Sequence, residues 1–384
     1  MTRRAIHLAS MTLMPTVLVF GCTGGDTSGD SAGEMAEEAP APAVAPVTVA
    51  SGLNGPMGVG VAPDGTVWVV DSGTAGDDEL TFPDIETHEI TPHEFGHTAR
   101  VIRIAPDGTQ TDVGTLPSLH FGEDMLGASR VVVMDGVAYV TSGEWAGGME
   151  EDRLPFMAAV VRIEGGEMTE LASTWPIERD ENPAGALVET HPYGLAEGPD
   201  GMLWLADAAG NTLFRVDPAS GDMELVAVFD ALPSPIPNPA RGNALETEPV
   251  PTGVAFDADG NIYVSFLPGA PFLPGSAKVV RVTEDGSVSD YATDLSMLTD
   301  LQTGPDGNLY AVSMGEFTEQ GPTPSSGSIV RIRQGTASEA VLTGLSFPTG
   351  LAFAANGDAY VTINGVGAPG GGQVVRYAGL AGGM

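Results

Sequence analysis

Apolar and polar positions follow one another along this chain in a unit that recurs six times. Each unit is an apolar run, a tight turn and a second run in which apolar residues alternate. The units read PMGVGVAPDGTVWVVDS from Pro56, GASRVVVMDGVAYVTSG from Gly127, PYGLAEGPDGMLWLADA from Pro192, PTGVAFDADGNIYVSF from Pro251, LTDLQTGPDGNLYAVSM from Leu298 and PTGLAFAANGDAYVTI from Pro348. Alternation with a period of two predicts half-buried strands, and the D-G and N-G pairs supply the positive φ of two-residue hairpins. A third strand follows each unit, as in ARVIRI at Ala99, NTLFRV at Asn211 and GSIVRI at Gly327, and most units then carry a fourth, more polar one, such as ASEAVLTGL ending at Leu345.

Units beginning near residues 56, 127, 192, 251, 298 and 348 predict an all-β fold, a six-bladed β-propeller of four-stranded antiparallel blades. The last unit stops near Tyr377 without a fourth strand, while an orphan, VTVASGLNGP from Val47, precedes the first and mirrors AVLTGLSFP from Ala340. The N-terminal strand is therefore expected to complete the last blade and close the ring, which leaves no long open edge.

Composition narrows the class. With 52 glycines and 30 prolines in 384 residues, turns and strands are favoured over helices. A net charge of −36, with Lys278 the sole lysine, excludes nucleic acid and anionic lipid surfaces as partners. The acidity reads as surface solubility in a salty medium or as cation binding. Cys22 is the single cysteine, so no disulfide forms within the chain. It follows Arg3-Arg4 and a short apolar run from Met11 to Phe20, so residues 1–22 read as a secretory signal with a lipobox-like end. This layout resembles a bacterial lipoprotein signal, with Cys22 the expected lipidation site; Phe20 departs from the small residue usual there, and Pro15 interrupts the run. Residues 23–45, Gly/Ser/acidic and then Pro/Ala, read as a flexible tether. Residues 46–384 form the expected propeller. The protein is expected to be a monomer, exported and held at the periplasmic or cell surface of a membrane by its lipid alone.

Several motifs carry a family resemblance. WLADAAGNTLFRV resembles an NHL repeat. ASGLNGPMGVGVAPDG, ENPAGALVETHPYGLAEGPDG, VPTGVAFDADGNIYVSFLPGAPFLPGSAKVVRV and GLSFPTGLAFAANGDAYVT together resemble the bacterial ScyD/ScyE family over roughly residues 46–378. The resemblance implies an exported propeller. The family is associated with the gene cluster for the pigment scytonemin, and it carries no agreed catalytic residues to transfer.

Insertions fall unevenly. The first–second and third–fourth turns are short, whereas the segments expected at the other end of the blades are long: 72–98, 117–126, 143–157, 173–191, 230–250, 267–277 and 315–326. Long loops on one end of a rigid scaffold commonly carry function. A ligand-binding face there would use Trp145, Trp175, Tyr193 and Asp300. Apart from His7, all histidines lie in these segments: His88, His93, His97, His120 and His191. Imidazoles among carboxylates suit Zn²⁺, Mn²⁺ or Fe²⁺, and carboxylates alone suit Ca²⁺, so a divalent metal is the cofactor this face would hold.

His93-Glu94-Phe95-Gly96-His97 fits the H-E-x-x-H string of zinc proteases. A zincin needs a long helix there, but strand pattern resumes at Ala99, and Arg100 and Arg103 stand where a metzincin needs glycine and histidine. A single helical turn is expected, with Thr91 and Glu94 as a capping box. The reading is a wall of a binding face, not a protease.

Three functions follow. The first is a ligand- or partner-binding or assembly module, taking a small molecule or a protein on the long-loop face, and this is favoured over an enzyme. The second is a metal-dependent hydrolase or lactonase resembling gluconolactonase-like propellers, which hold Ca²⁺ near the central channel through glutamate, asparagine and aspartate. Asp300 is the lone acidic residue at an equivalent position, and the asparagine is missing from Pro192-Tyr193-Gly194, Pro251-Thr252-Gly253 and Pro348-Thr349-Gly350. The third is a structural envelope protein. Quinone-dependent sugar dehydrogenases also use six blades, and Arg153, Arg179 and Arg241 are the cations available for such a cofactor.

Overall fold

Each hairpin turn is built by its own residues. Asp64 Oδ1 accepts the backbone N–H of Thr66 at 2.9 Å, while Gly65 takes the positive φ of 84°. The same side-chain bond recurs from Asp107 to Thr109, Asp200 to Met202, Asp257 to Asp259 and Asp306 to Asn308. An aromatic residue of the next strand then ties the turn down. Tyr263 donates to Asp257 at 2.9 Å, Tyr310 to Asp306 at 2.8 Å and Trp204 Nε1 to Asp200 at 3.3 Å. These ties fix register, and with it which side chains face the core.

The computed structural model describes residues 45–83, 90–121, 124–147, 153–318 and 320–382. Cys22, the expected signal and all but the end of the expected tether lie outside the described residues, as does His88. Val44–Met384 form one compact unit, and the fold is all-β with one short helix, Trp175–Glu181, among the described residues.

Five sheets are four-stranded and antiparallel. The first strands of sheets two to six are Ala128–Met134, Pro192–Glu197, Pro251–Phe256, Leu298–Thr303 and Gly350–Phe353. The first sheet begins at Pro56–Val61 and is extended: Ile90–Ile104 pairs with Val67–Asp71, Gln110–Phe121 and Asp78–Pro83. Val47–Leu53 lies antiparallel to Gly372–Tyr377, with Val47 opposite Arg376 and Leu53 opposite Gly372. The first strands touch in chain order, and the sixth touches the first. Thr349 Oγ1 of the sixth sheet donates to Pro56 O of the first at 2.6 Å, and Thr252 Oγ1 of the fourth to Leu298 O of the fifth at 2.7 Å.

The core lies between neighbouring sheets. Val70, Val101 and Leu116 meet Val131, Val140 and Val161 between the first two. Val59, Val69 and Ile102 meet Ala352 and Val374 between the first and the sixth. A side chain such as Val69, 0% exposed, contributes roughly 1.5–3 kcal/mol by leaving water.

Close approach explains a glycine repeat. Ladder register puts Gly58, Gly194, Gly253 and Gly350 at the same place in their first strands. A Cβ there would stand 2.5 Å from Ser129 O, 2.8 Å from Thr252 O, 2.4 Å from the Leu301 nitrogen and 2.7 Å from Met57 O, all backbone atoms of the adjoining sheet. In the second and fifth sheets the same place belongs to Arg130 and Asp300.

The insertions also make structure. Thr91–Glu94, expected as a helical turn, is extended: His93 pairs with Leu80 and Glu94 with Glu79, so partners on the adjacent strand take the backbone bonds that a helix would have made locally. Phe82, Phe95, Leu119, Leu126, Met157, Trp145 and Trp175 form a further apolar cluster. The two tryptophans, expected on an open ligand face, are 2% and 7% exposed and belong to this core.

Candidate active site

His191 directly precedes the third sheet, and its backbone N–H donates to Asp207 Oδ1 at 2.7 Å. A short ladder, Trp145–Ala146 against Glu189–Thr190, brings Glu144 alongside. Glu144 Oε2 lies 3.4 Å from His191 Nδ1, and Ser129 Oγ lies 3.3 Å from Nε2. The imidazole meets the Tyr193 ring edge-on, with centroids 5.4 Å apart. Ser129 is 3% exposed, while the side chains of His191 and Glu144 are 15% and 18% exposed. Hydroxyl, imidazole and carboxyl thus stand in line, the arrangement by which a base activates a hydroxyl while a third group orients the base.

Burial, then the nearby Arg130 charge, pushes the His191 imidazole down to about 4, so it is neutral at neutral pH. Burial, then Glu189, Asp124 and Asp207, holds Glu144 well above the usual carboxylate range. A protonated Glu144 can accept Nδ1–H on its carbonyl oxygen, which leaves the Nε2 lone pair facing Ser129. Behind this line Glu178 is 4% exposed and pushed up to about 8 by burial and then by Asp207. Asp207, itself raised by burial, accepts from Thr190 Oγ1 and from Gly210 N at 2.9 Å. Asp71 ends the matching strand of the first sheet, where Arg100 Nε binds it at 3.1 Å. Hydroxyls and amides serve Asp207 where a guanidinium serves Asp71.

Arg130 adjoins the line. Its guanidinium carbon lies 4.4 Å from the centroid of the Tyr193 ring. Nη1 donates to Met57 O at 2.7 Å and Ser129 O at 2.8 Å; Nη2 donates to Thr349 O at 3.0 Å and to Thr299 O. Nε forms an ion pair with Asp300 Oδ1 at 3.6 Å. Asp300 also accepts from Leu301 N at 2.8 Å, Leu351 N at 2.9 Å and Gln302 Nε2 at 3.3 Å. On the short-turn side of Arg130, a cavity of about 300 Å³ is lined from all six first strands, by Val61, Val133, Glu197, Phe256, Gln302 and Phe353 among others.

The structure therefore gathers Tyr193, Asp300 and His191 around Arg130 and sends the other expected residues elsewhere. His93 stacks on Phe82 at 4.3 Å and pairs with the Thr91 hydroxyl at 3.0 Å. His97 meets the Phe95 ring at 5.5 Å, and His120 faces Glu94 at 3.4 Å. Among the described residues, no three His, Cys, Asp or Glu side chains converge as metal ligands. Arg153, Arg179 and Arg241 each hold a carboxylate, those of Glu170, Asp180 and Glu248. Sequence reasoning misses Arg130, Ser129 and Asp207, and reaches Glu144 only as one of the many carboxylates in the long loops. The signal for Arg130 was there, a charged residue where four of the six repeats have glycine.

Residues 195–367 match the SMP-30/Gluconolactonase/LRE-like region family. No curated protein matches the chain. Among solved structures, an oxidoreductase from Thermus thermophilus, named as a glucose dehydrogenase, is 17% identical, with 86% of this chain and 99% of that one covered and a TM-score of 0.52. An aldose sugar dehydrogenase from Streptomyces coelicolor, solved with PQQ, is 14% identical, with 86% and 96% covered and a TM-score of 0.50. A luciferin-regenerating enzyme is 12% identical, with 88% and 96% covered and a TM-score of 0.50. At these identities the likeness is one of propeller-type fold.

The Ca²⁺ implied by the gluconolactonase-like resemblance does not fit here. Asp300, the acid at the equivalent position, already has three amide donors and a guanidinium within 3.6 Å. A divalent ion on that carboxylate would stand beside a buried positive charge.

Proposed function

We propose that this protein is a closed six-bladed β-propeller that hydrolyses small neutral cyclic esters without a metal. The observation that carries the reading is the line Ser129–His191–Glu144. The family match of residues 195–367 supports lactone-type substrates, and it favours this reading over the binding module. The surroundings support a neutral substrate too: burial holds the Glu144 and Glu178 carboxyls above the usual range, and the adjoining Arg130 is already taken by backbone carbonyls and Asp300, so it is not offered to an anionic substrate.

In this reading Ser129 Oγ attacks the acyl carbon as its proton passes to His191 Nε2. The ring C–O bond breaks, and the leaving oxygen takes that proton. Water then attacks the acyl-serine, giving a proton to His191, which returns it to Ser129 as the acid leaves. Glu144 orients the imidazole throughout. The contact of the sixth first strand with the first, and the pairing of Val47–Leu53 with Gly372–Tyr377, support ring closure. Export with lipidation at Cys22, and kinship with the ScyD/ScyE family, rest on the sequence motifs.

A panel of lactones and aryl esters, assayed with and without chelator, tests the reading. Turnover should survive chelation, hold between about pH 5 and 8 and fall as His191 protonates near 4. H191Q should lose roughly 10²–10⁴-fold in kcat, and S129A, which removes the nucleophile, on the order of 10⁶-fold. Hydrolysis abolished by chelator, or unchanged in H191Q, would sink the proposal.

A further inference from the structure

Four backbone carbonyls and one carboxylate converge where the first, second, fifth and sixth sheets meet: Met57 O, Ser129 O, Thr299 O, Thr349 O and Asp300. All are oxygen acceptors. Carbonyls and a carboxylate around one point form the donor set that hard cations take. Left empty, such a cluster would leave four buried carbonyls without a donor from this point and Asp300, although it keeps three N–H donors, as a buried charge without a counterion, each costing free energy.

The chain fills it from within. Arg130 is 3% exposed, and its four Nη hydrogens match the four carbonyls while Nε faces the carboxylate. Two aspects show that the fit belongs to this site. Arg130 and Asp300 are the two departures from the glycine repeat, and their charges are opposite. The four carbonyls come from four sheets, three of them other than Arg130's own, so no local turn gathers them.

We infer that the Arg130 guanidinium is a resident cation, standing in a latent divalent-cation site formed by Asp300 and the carbonyls of Met57, Thr299 and Thr349. The protein then needs no metal at its centre, and removing the guanidinium uncovers a site for Ca²⁺. This stands whether or not the hydrolase reading does.

The test compares wild type, R130S and R130S/D300N by thermal melting, with chelator and with 1 mM Ca²⁺, at physiological ionic strength so that surface carboxylates are screened. Wild type should show no Ca²⁺-dependent shift. R130S should gain one of several degrees, with one Ca²⁺ bound per chain by calorimetry, and R130S/D300N should lose it. If R130S does not fold in chelator, recovery with Ca²⁺ or with millimolar guanidinium ion supports the inference. No recovery with either overturns it, because the centre then needs the tethered side chain and not its charge. A folded R130S indifferent to Ca²⁺, or a wild type whose Ca²⁺ stabilisation disappears in D300N, also overturns it.

Discussion

Arg130 and Asp300 occupy the same place in two different repeats, and they meet across the molecule as an ion pair at 3.6 Å. Elsewhere that place is glycine because the adjoining backbone leaves no room for a side chain. Here two oppositely charged side chains stand in the glycine's place and link four sheets.

The pair should therefore be strongly coupled. Removing one partner leaves a buried charge without its counterion, so R130G and D300G should each cost about 3–5 kcal/mol. R130G/D300G restores the glycine repeat and removes both charges, so its loss should fall short of the sum by at least about 1.5 kcal/mol. Urea denaturation of the four proteins gives the coupling; additive losses would contradict it.

Glu178 should make the fold less stable in mild alkali. Its folded value, about 8, lies above the ordinary 4.5. The folded state thus keeps a proton that the unfolded chain gives up, and the stability this contributes is full below 4.5 and lost as pH rises toward 8. The slope is about 1.4 kcal/mol per pH unit for one group. E178Q cannot ionise, so its melting temperature should exceed that of wild type at pH 8 and approach it at pH 5. His191 works in the opposite sense, because its depressed value costs stability as pH falls from 6.5 toward 4. An E178Q melting curve that tracks wild type from pH 5 to 8 would refute the assignment.

Truncation through Leu53 should expose an edge. Gly372–Tyr377 would lose its outer partner and present unpaired N–H and C=O groups. The shortened protein should aggregate on size-exclusion chromatography, and a synthetic peptide spanning Pro46–Gly55 should restore the monomer. A truncated chain that stays monomeric and equally stable would show that the strand closes nothing.

Much of the fold was legible because its signals are local. Apolar alternation marked the strands, and the Asp-Gly pairs marked the turns that Asp64, Asp200 and Asp306 now visibly build. The missing last strand pointed to Val47–Leu53. The site was less legible because its parts are distant in sequence. Glu144 reaches His191 only through the ladder of Trp145–Ala146 with Glu189–Thr190. Tyr193 and Asp300 were picked for their position at the strand starts, and their common partner Arg130 is what makes them one group. Trp145 and Trp175 misled because long segments with aromatic residues resemble a binding face, whereas here the segments have a small core of their own. The H-E-F-G-H string misled in the same way: helical spacing has no force once Asp78–Pro83 offers a strand to pair with.

The pairing of Val47–Leu53 with Gly372–Tyr377 also sets an order in time. Val47–Leu53 leaves the ribosome long before Gly372–Tyr377, its partner, is made. Such long-range contacts fold slowly. Sheets one to five can assemble while synthesis continues, but the sixth waits for Gly372–Tyr377. Until then Val47–Leu53 must stay unpaired and unaggregated, so a chain that stalls before Gly372 is released with its sixth sheet incomplete.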